Sequence, residues 1–480
     1  MPESTRVAER IARLKTHLQT ENPHLLDAVN GFTELDKVAH ATGMLPADQS
    51  FATQVPWWPV IALLGTYSAG KSTFINSYLG QPVQSTGSQA VDDRFTVICY
   101  GPGESQVLPG IALDADPRFP FYQSSEDIEA VAQGEGRRVD AYLQLKTSQS
   151  ERLRGKLIID SPGFDADEQR TATLRITDHI IALADLVLVF FDARHPEPGA
   201  MQDTLEHLVG RTINRPDSSK FLYVLNQIDN AAREDNLEEV FAAWQRALAR
   251  QGLSAGRYFQ IYDAAAAIDI KDPAINSRFA AKREADISTL HARMEQVEID
   301  RAYRVAAMLE ETAKGMQNTV IPAVEVAHAR WTKRVASADA VLLVIGVALG
   351  WRVLASADTA VSEIGAGSFA LLGALSALLV FAHTRLRDFF ARWESRTLRK
   401  TITDEAAATM TVGAFSRTTR LRHSIWRKTP VGWTRAAKKR IDSVRSNADA
   451  LVQRLNDTYT NPAGHAVDKA RSKEETSTPS

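Results

Sequence analysis

The stretch GTYSAGKS, Gly65 to Ser72, holds two glycines with four residues between them, then a lysine and a hydroxyl directly after the second. Gly65 and Gly70 let the backbone wrap an anion, while successive N–H groups and a helix N-terminus supply the donors, an arrangement suited to a phosphate. At this spacing Lys71 reaches the outer phosphates of a nucleotide and Ser72 ligates Mg²⁺. The apolar run before it and TFINSYLG after it read as strand and helix, the context such a loop requires.

Two further stretches end apolar runs with useful polar groups. In KLIIDSPGFD, Asp160 can hold a water on the metal and the Gly163 N–H can sense the last phosphate. In FLYVLNQIDN, Asn226 and Asp229 stand where a carboxylate can accept two hydrogen bonds from the N1 and N2 edge of guanine. Asp229 as a loop-capping residue is the plain alternative. No side chain stands out as a general base, and in phosphoryl transfer positioning and charge carry most of the acceleration.

The elements that must carry these groups alternate between strand and helix. Strands are expected at Val60–Leu64, Phe95–Tyr100, Lys156–Ile159, Leu186–Phe191, Phe221–Leu225 and Tyr258–Tyr262, all as continuous apolar runs. That pattern predicts an α/β, doubly wound, mainly parallel sheet over 56–272. From Lys271 the chain turns highly charged, with Ile287, Leu290, Met294 and Val297 at helical spacing, so a helical stalk is expected over 273–335. Val7, Ile11, Leu14 and Leu18 place an apolar stripe on an N-terminal helix, and 1–55 is expected to pack on the protein's own helices.

Two apolar stretches follow, Ala340 to Leu354 and Ile364 to Ala382, the second with 19 residues and no charge. At about 1.5 Å per residue the second nearly crosses ~30 Å of hydrocarbon. Arg352 in the first would have to snorkel. Basic flanks and an acidic joining loop predict a membrane hairpin over 336–383 with both outer ends cytoplasmic, and Trp331, Trp351 and Trp393 at headgroup level. A buried hairpin in a soluble helical domain and a reversibly inserting paddle are the alternatives. The basic helices of 384–460, with Trp426 and Trp433, read as a surface for anionic lipid, with nucleic acid or plain solvation as rivals. The tail, 461–480, is polar and expected to be disordered.

Composition sets outer limits. The 480 residues carry a net charge of −2, which singles out no polyanionic partner, and no nucleic acid is expected. Cys99 is the one cysteine, so an internal disulfide framework or a thiolate zinc cluster is excluded. The charged N-terminus lacks the apolar core of a secretory signal.

Taken together, GTYSAGKSTFI, DRFTVICYG, DSPGFDADEQR, FFDARH and VLNQIDN resemble the dynamin superfamily, and within it the Eps15-homology-domain ATPases and bacterial dynamin-like proteins. The resemblance implies a membrane-remodelling nucleoside triphosphatase, slow unless assembled, that self-associates through its nucleotide domains. It implies a nucleotide site over Gly65, Tyr67, Ser68, Ala69, Gly70, Lys71, Ser72 and Thr73, with Asp160, Gly163, Asn226, Gln227 and Asp229. It also implies Mg²⁺ at Ser72 and Asp160 and a homo-oligomer at a bacterial inner membrane, its nucleotide domain facing the cytoplasm. Three departures stand out. Asp92 occupies the place of the first-switch threonine, as a third metal ligand with Thr86 as a fallback; Gln227 replaces the lysine of the base-reading motif; and the subgroup with a tyrosine at position 67 uses ATP. GTP is the expected substrate and ATP the alternative. An ATPase of this architecture and a non-hydrolysing, nucleotide-regulated membrane scaffold are the rival functions.

Overall fold

The computed structural model describes residues 3–66, 68–86, 94–119, 142–163, 171–194, 218–233, 236–250, 257–355, 366–427 and 429–460. The chain divides into two compact units, one formed by 11–25 and 54–305 and the other by 1–10, 26–53 and 306–480.

The first unit is built on an eight-stranded sheet in the order β3-β4-β2-β5-β1-β6-β7-β8. The strands are β1 (Val60–Gly65), β2 (Phe95–Tyr100), β3 (Val107–Pro109), β4 (Leu143–Ser148), β5 (Leu157–Asp160), β6 (Leu186–Asp192), β7 (Phe221–Asn226) and β8 (Arg257–Gln260). Six fall within a residue or two of the apolar runs. Pairing is parallel from β5 through β8, but β2 runs antiparallel to β5 and β3 antiparallel to β4, so the sheet is mixed at one edge.

β1, β5, β6 and β7 are buried along their whole length, which is why their sequences are apolar without alternation. Ile61, Leu63, Ile158, Leu188 and Val224 form one core with Phe74 and Ile75 of the helix Lys71–Leu79. Leu290, Met294 and Val297 of the helix Pro273–Lys314 close the same core. The N-terminal helix Glu3–Glu21 buries Leu14 and Leu18, and its Glu21 accepts from Trp58 Nε1 at 2.8 Å and from the Gly155 N–H at 3.2 Å.

At the amino ends of the strands, buried Asp185 accepts from the Val60 N–H at 2.9 Å and pairs with Arg301 and Arg304. The carboxyl ends gather the polar residues. Leu63 of β1 lies opposite Asp160, Gly65 opposite Phe190, and Asp192 opposite Asn226. In an open α/β sheet this end is where ligands bind.

The second unit is helical. Leu26–Thr42 packs along Arg435–Thr460 with ion pairs Arg440–Glu34 at 3.3 Å and Arg454–Asp27 at 2.6 Å. A π-helical turn, Gly315–Val320, leads into the helix Ile321–Ala355, which pairs antiparallel with Ala366–Thr401. The base of that pair is packed and polar: Trp331 Nε1 donates to the Arg387 carbonyl at 3.2 Å, and fully buried Glu394 forms an ion pair with Arg330 at 2.9 Å and accepts from Arg334 at 2.5 Å. His383 meets Asp339 at 2.7 Å.

Beyond that point the pair turns outward-apolar. Val341, Leu343, Val344, Val347, Leu378 and Val380 are all more than half exposed. Trp331 is the correction here: it is fully buried in the packed base, where its indole N–H has a partner, and so does not reach a headgroup layer. Trp351 and Trp393 are exposed, the latter beneath the Arg334 guanidinium. The tail, 461–480, lies outside the described residues.

Candidate nucleotide site

The loop after β1 is held open by glycine. Gly70 sits at φ +81°, and a Cβ there would lie 2.2 Å from Asn226 Nδ2; a Cβ on Gly65 would lie 2.5 Å from the Phe190 carbonyl oxygen. Both positions therefore need the bare backbone. Ala69 is buried, and Ser72 and Thr73 start the helix Lys71–Leu79, whose free N–H groups face the loop.

Lys71 is buried, and its Nζ donates to the carbonyls of Gly65 at 3.0 Å and Thr66 at 3.1 Å. Burial pushes its ammonium below the usual lysine range, with Asp160 opposing that shift. An arriving phosphate would supply the anion that this buried cation faces only in part.

Asp160 gathers the polar side chains on the other side of the loop. Its Oδ2 accepts from Ser72 Oγ at 3.1 Å and from Gln84 Nε2 at 2.6 Å, and Lys146 Nζ donates to Gln84 Oε1 at 2.6 Å. Asn76 fixes the approach of that segment, its Oδ1 accepting from the N–H groups of Val83 at 2.9 Å and Gln84 at 2.8 Å. Next to Asp160, the buried Ser161 hydroxyl has no hydrogen-bond partner among the described residues.

A hydroxyl, a carboxylate and an unanswered buried hydroxyl together suit Mg²⁺, which takes oxygen ligands and is bound through one or two carboxylates plus substrate phosphates. Among the described residues no cluster of three or more His, Cys, Asp or Glu exists, so no all-protein cage competes with this mode. Gly163 is exposed just beyond. Tyr67 and Asp92 lie outside the described residues. Thr86 is exposed, two residues past Gln84.

Asn226 and Gln227 join the far side to the phosphate loop. Asn226 Nδ2 donates to the Ala69 carbonyl at 2.9 Å and Gln227 Nε2 to the Ser68 carbonyl at 2.6 Å. Asp229 is buried, its Oδ2 accepting from the Ile268 N–H at 3.0 Å. Asp192 grips the Arg194 guanidinium through both carboxylate oxygens at 2.6 to 3.0 Å, raising the arginine's affinity for its proton.

Sequence reasoning passed over Asn76, Gln84 and Lys146. The usable signal was β4, LQLKTS, where Leu143 and Leu145 alternate with Gln144 and Lys146. The polar residues of that alternation are buried, so the strand lacks the unbroken apolar run that marks the others.

A phosphate loop at the carboxyl end of a central strand, with a strand-end aspartate and an Asn-x-x-Asp loop beside it, is the layout of a P-loop nucleotide-binding domain. Residues 61–228 match the dynamin family, so over that segment the chain is similar to dynamin-family proteins. It is 29% identical over 178 residues to EH domain-containing protein 1 of Bos taurus and of Homo sapiens, and 28% identical over 178 residues to EH domain-containing protein 3 of Rattus norvegicus. Each alignment covers 36% of this chain and 31% of the relative, so the chain matches about a third of the length of these curated relatives. A solved chain described as part of an oligomerised bacterial dynamin pair is 12% identical, with a TM-score of 0.32 over 99% of this chain and 79% of its own.

Proposed function

We propose that the protein is a membrane-anchored, dynamin-like GTPase whose assembly and hydrolysis bend, tether or join a bilayer. The observation that carries the nucleotide half is the convergence of Lys71, Ser72, Asp160, Asn226 and Asp229 at one end of the sheet. Gly65, Ser68 and Gly70 leave backbone N–H groups to cradle phosphates, and Lys71 neutralises their charge. Ser72 and Asp160 would hold Mg²⁺, which when bound offsets charge on the outer phosphates. Asp229 orients the base, and Gly163 reports whether the last phosphate is present.

The membrane half rests on exposure. Only 6% of the most apolar window in each hairpin helix is buried, whereas the core helix of a soluble bundle would be mostly covered. This supports a lipid-facing hairpin over the buried alternative. The proposal extends to anionic lipids, a homo-oligomer through the nucleotide domains and the cytoplasmic face of a bacterial inner membrane.

A second reading, ATP in place of GTP, is favoured by Tyr67, the mark of the subgroup that uses ATP, while Gln227 covers less of either base than the lysine it replaces. A non-hydrolysing scaffold is the third. Calorimetric titration with non-hydrolysable GTP and ATP analogues separates the first two, and single-turnover assays across protein concentration separate the last. Tight binding of the GTP analogue with turnover that climbs with concentration supports the reading; binding of neither nucleotide removes it.

A further inference from the structure

We propose that the segment Arg420–Arg427, between the helices Glu405–Thr418 and Arg435–Thr460, is a second lipid contact: an interfacial foot that receives anionic headgroups beside the hairpin. It deepens the membrane reading given above and rests on its premise that the chain meets a bilayer.

Composition and exposure come first. Trp426 is 70% exposed and Leu421 54%, and Arg420, Arg422 and Arg427 are exposed around them. An indole with guanidinium groups suits the headgroup layer, where a ring has one wet and one apolar side and cations meet lipid phosphate and carboxylate. Among the described residues the hydrogen bonds that Arg422 and Arg427 make go to neutral groups: Arg422 Nε donates to His423 Nε2 at 3.3 Å and Arg427 Nε to the Thr429 carbonyl at 3.1 Å. The His423 imidazole is pushed down by desolvation, then by Arg422, Arg427, Arg417 and Arg420, so every charge acting on it is a guanidinium.

Position is the second, independent observation. Arg387 Nη2 reaches across to the backbone of this segment, donating to the carbonyls of Arg420 at 3.3 Å and His423 at 3.0 Å, and Thr332 Oγ1 donates to the Ile425 carbonyl at 3.0 Å. Both anchors belong to the hairpin helices. Arg387 lies six residues past exposed Phe381 and Thr332 nine before exposed Val341. At ~1.5 Å per residue the foot is fixed roughly 9 to 14 Å from the hairpin's first lipid-facing residues. The headgroup layer is about 5 to 8 Å deep, so arginine side chains rising from the foot meet it when the hairpin is inserted. The polyanion that the hairpin brings to this spot is the bilayer, which favours lipid over nucleic acid as the occupant.

The test uses the full chain and flotation with phosphatidylcholine vesicles, with and without a phosphatidylserine fraction. Wild type should prefer the phosphatidylserine vesicles, and the preference should fade with added salt. Arg422→Gln with Arg427→Gln should weaken that preference by about thirtyfold, at roughly 1 kcal/mol per cation near the surface. Arg422→Lys with Arg427→Lys should retain it. In the same samples, resistance to alkaline extraction reports the hairpin separately and should be equal for all variants. An extractable chain that keeps its phosphatidylserine preference removes the hairpin reading and leaves the foot standing. A preference unchanged in the double Gln variant, or vesicle binding indifferent to phosphatidylserine with nucleic acid retained instead, overturns the foot. Should the Gln variant fold poorly, quenching by brominated lipid decides: Trp426→Phe must lose a quenched component of the tryptophan emission, and unaltered quenching overturns the proposal.

Discussion

Gln227 Nε2 donates to the Ser68 carbonyl at 2.6 Å, and these are the two non-glycine residues at positive φ among the described residues, at +63° and +57°. Left-handed backbone at non-glycine residues costs on the order of 1–3 kcal/mol each and persists where the surroundings enforce it. The bond thus joins two strained turns, one in the Gly65–Ser72 loop and one in the Asn226–Asp229 loop, so the proposed nucleotide contacts of the two loops should be coupled.

Gln227→Ala should therefore lower nucleotide affinity by about fivefold, the worth of one hydrogen bond of ~1 kcal/mol. Gln227→Lys keeps a donor and lengthens the stem over the base, and should hold or raise affinity for GTP. Titration of a fluorescent nucleotide analogue reads both. Equal affinity in wild type and Gln227→Ala would show that the bond does not couple the loops.

The Lys146–Gln84–Asp160 chain predicts a metal effect. Gln84 orients the carboxylate that would serve Mg²⁺, and removing such an outer partner typically costs 10- to 100-fold in metal affinity. In Gln84→Ala, Mg²⁺ titration of the nucleotide complex should shift upward by about tenfold, while metal-free nucleotide affinity stays near wild type. An unshifted Mg²⁺ midpoint would exclude the role.

Gly70→Ala places a Cβ 2.2 Å from Asn226 Nδ2 at a φ of +81°. The loop must reshape or Asn226 must leave the Ala69 carbonyl, so nucleotide binding should be lost while the protein stays folded. Thermal unfolding with and without nucleotide shows this as a melting temperature that nucleotide no longer raises.

Stability should vary with pH through Glu298, whose carboxyl is raised to about 7 from 4.5, by burial first and by Glu21, with Lys156 opposing. The native state holds this proton more tightly than the unfolded chain, so its contribution is complete below about pH 4.5 and is lost as pH rises through about 7. The span corresponds to on the order of 3 kcal/mol. Glu298→Gln should flatten the fall in unfolding free energy between pH 5 and 8, as followed by denaturant titration. A slope identical to wild type would place the titration elsewhere.

How much of this was legible beforehand follows from burial. Strands buried on both faces, such as Val60–Gly65 and Leu186–Asp192, print as unbroken apolar runs and were readable, and the phosphate loop carries its own spacing. Leu143–Ser148 was not, because its buried partners are polar and distant in the chain: Gln144 bonds Thr96, 48 residues away, at 2.7 Å, and Lys146 bonds Gln84, 62 residues away. Trp331 misled for the converse reason. Its basic neighbours looked like membrane flanks, yet Arg330 and Arg334 turn inward to Glu394, a long-range pairing that local charge does not reveal.

Nucleotide hydrolysis by the purified full chain, with and without anionic vesicles and beside Lys71→Ala, tests the whole account most directly. A GTPase rate that climbs when vesicles are added and vanishes in Lys71→Ala is the predicted result. A rate indifferent to vesicles, or one that survives in Lys71→Ala, would contradict it.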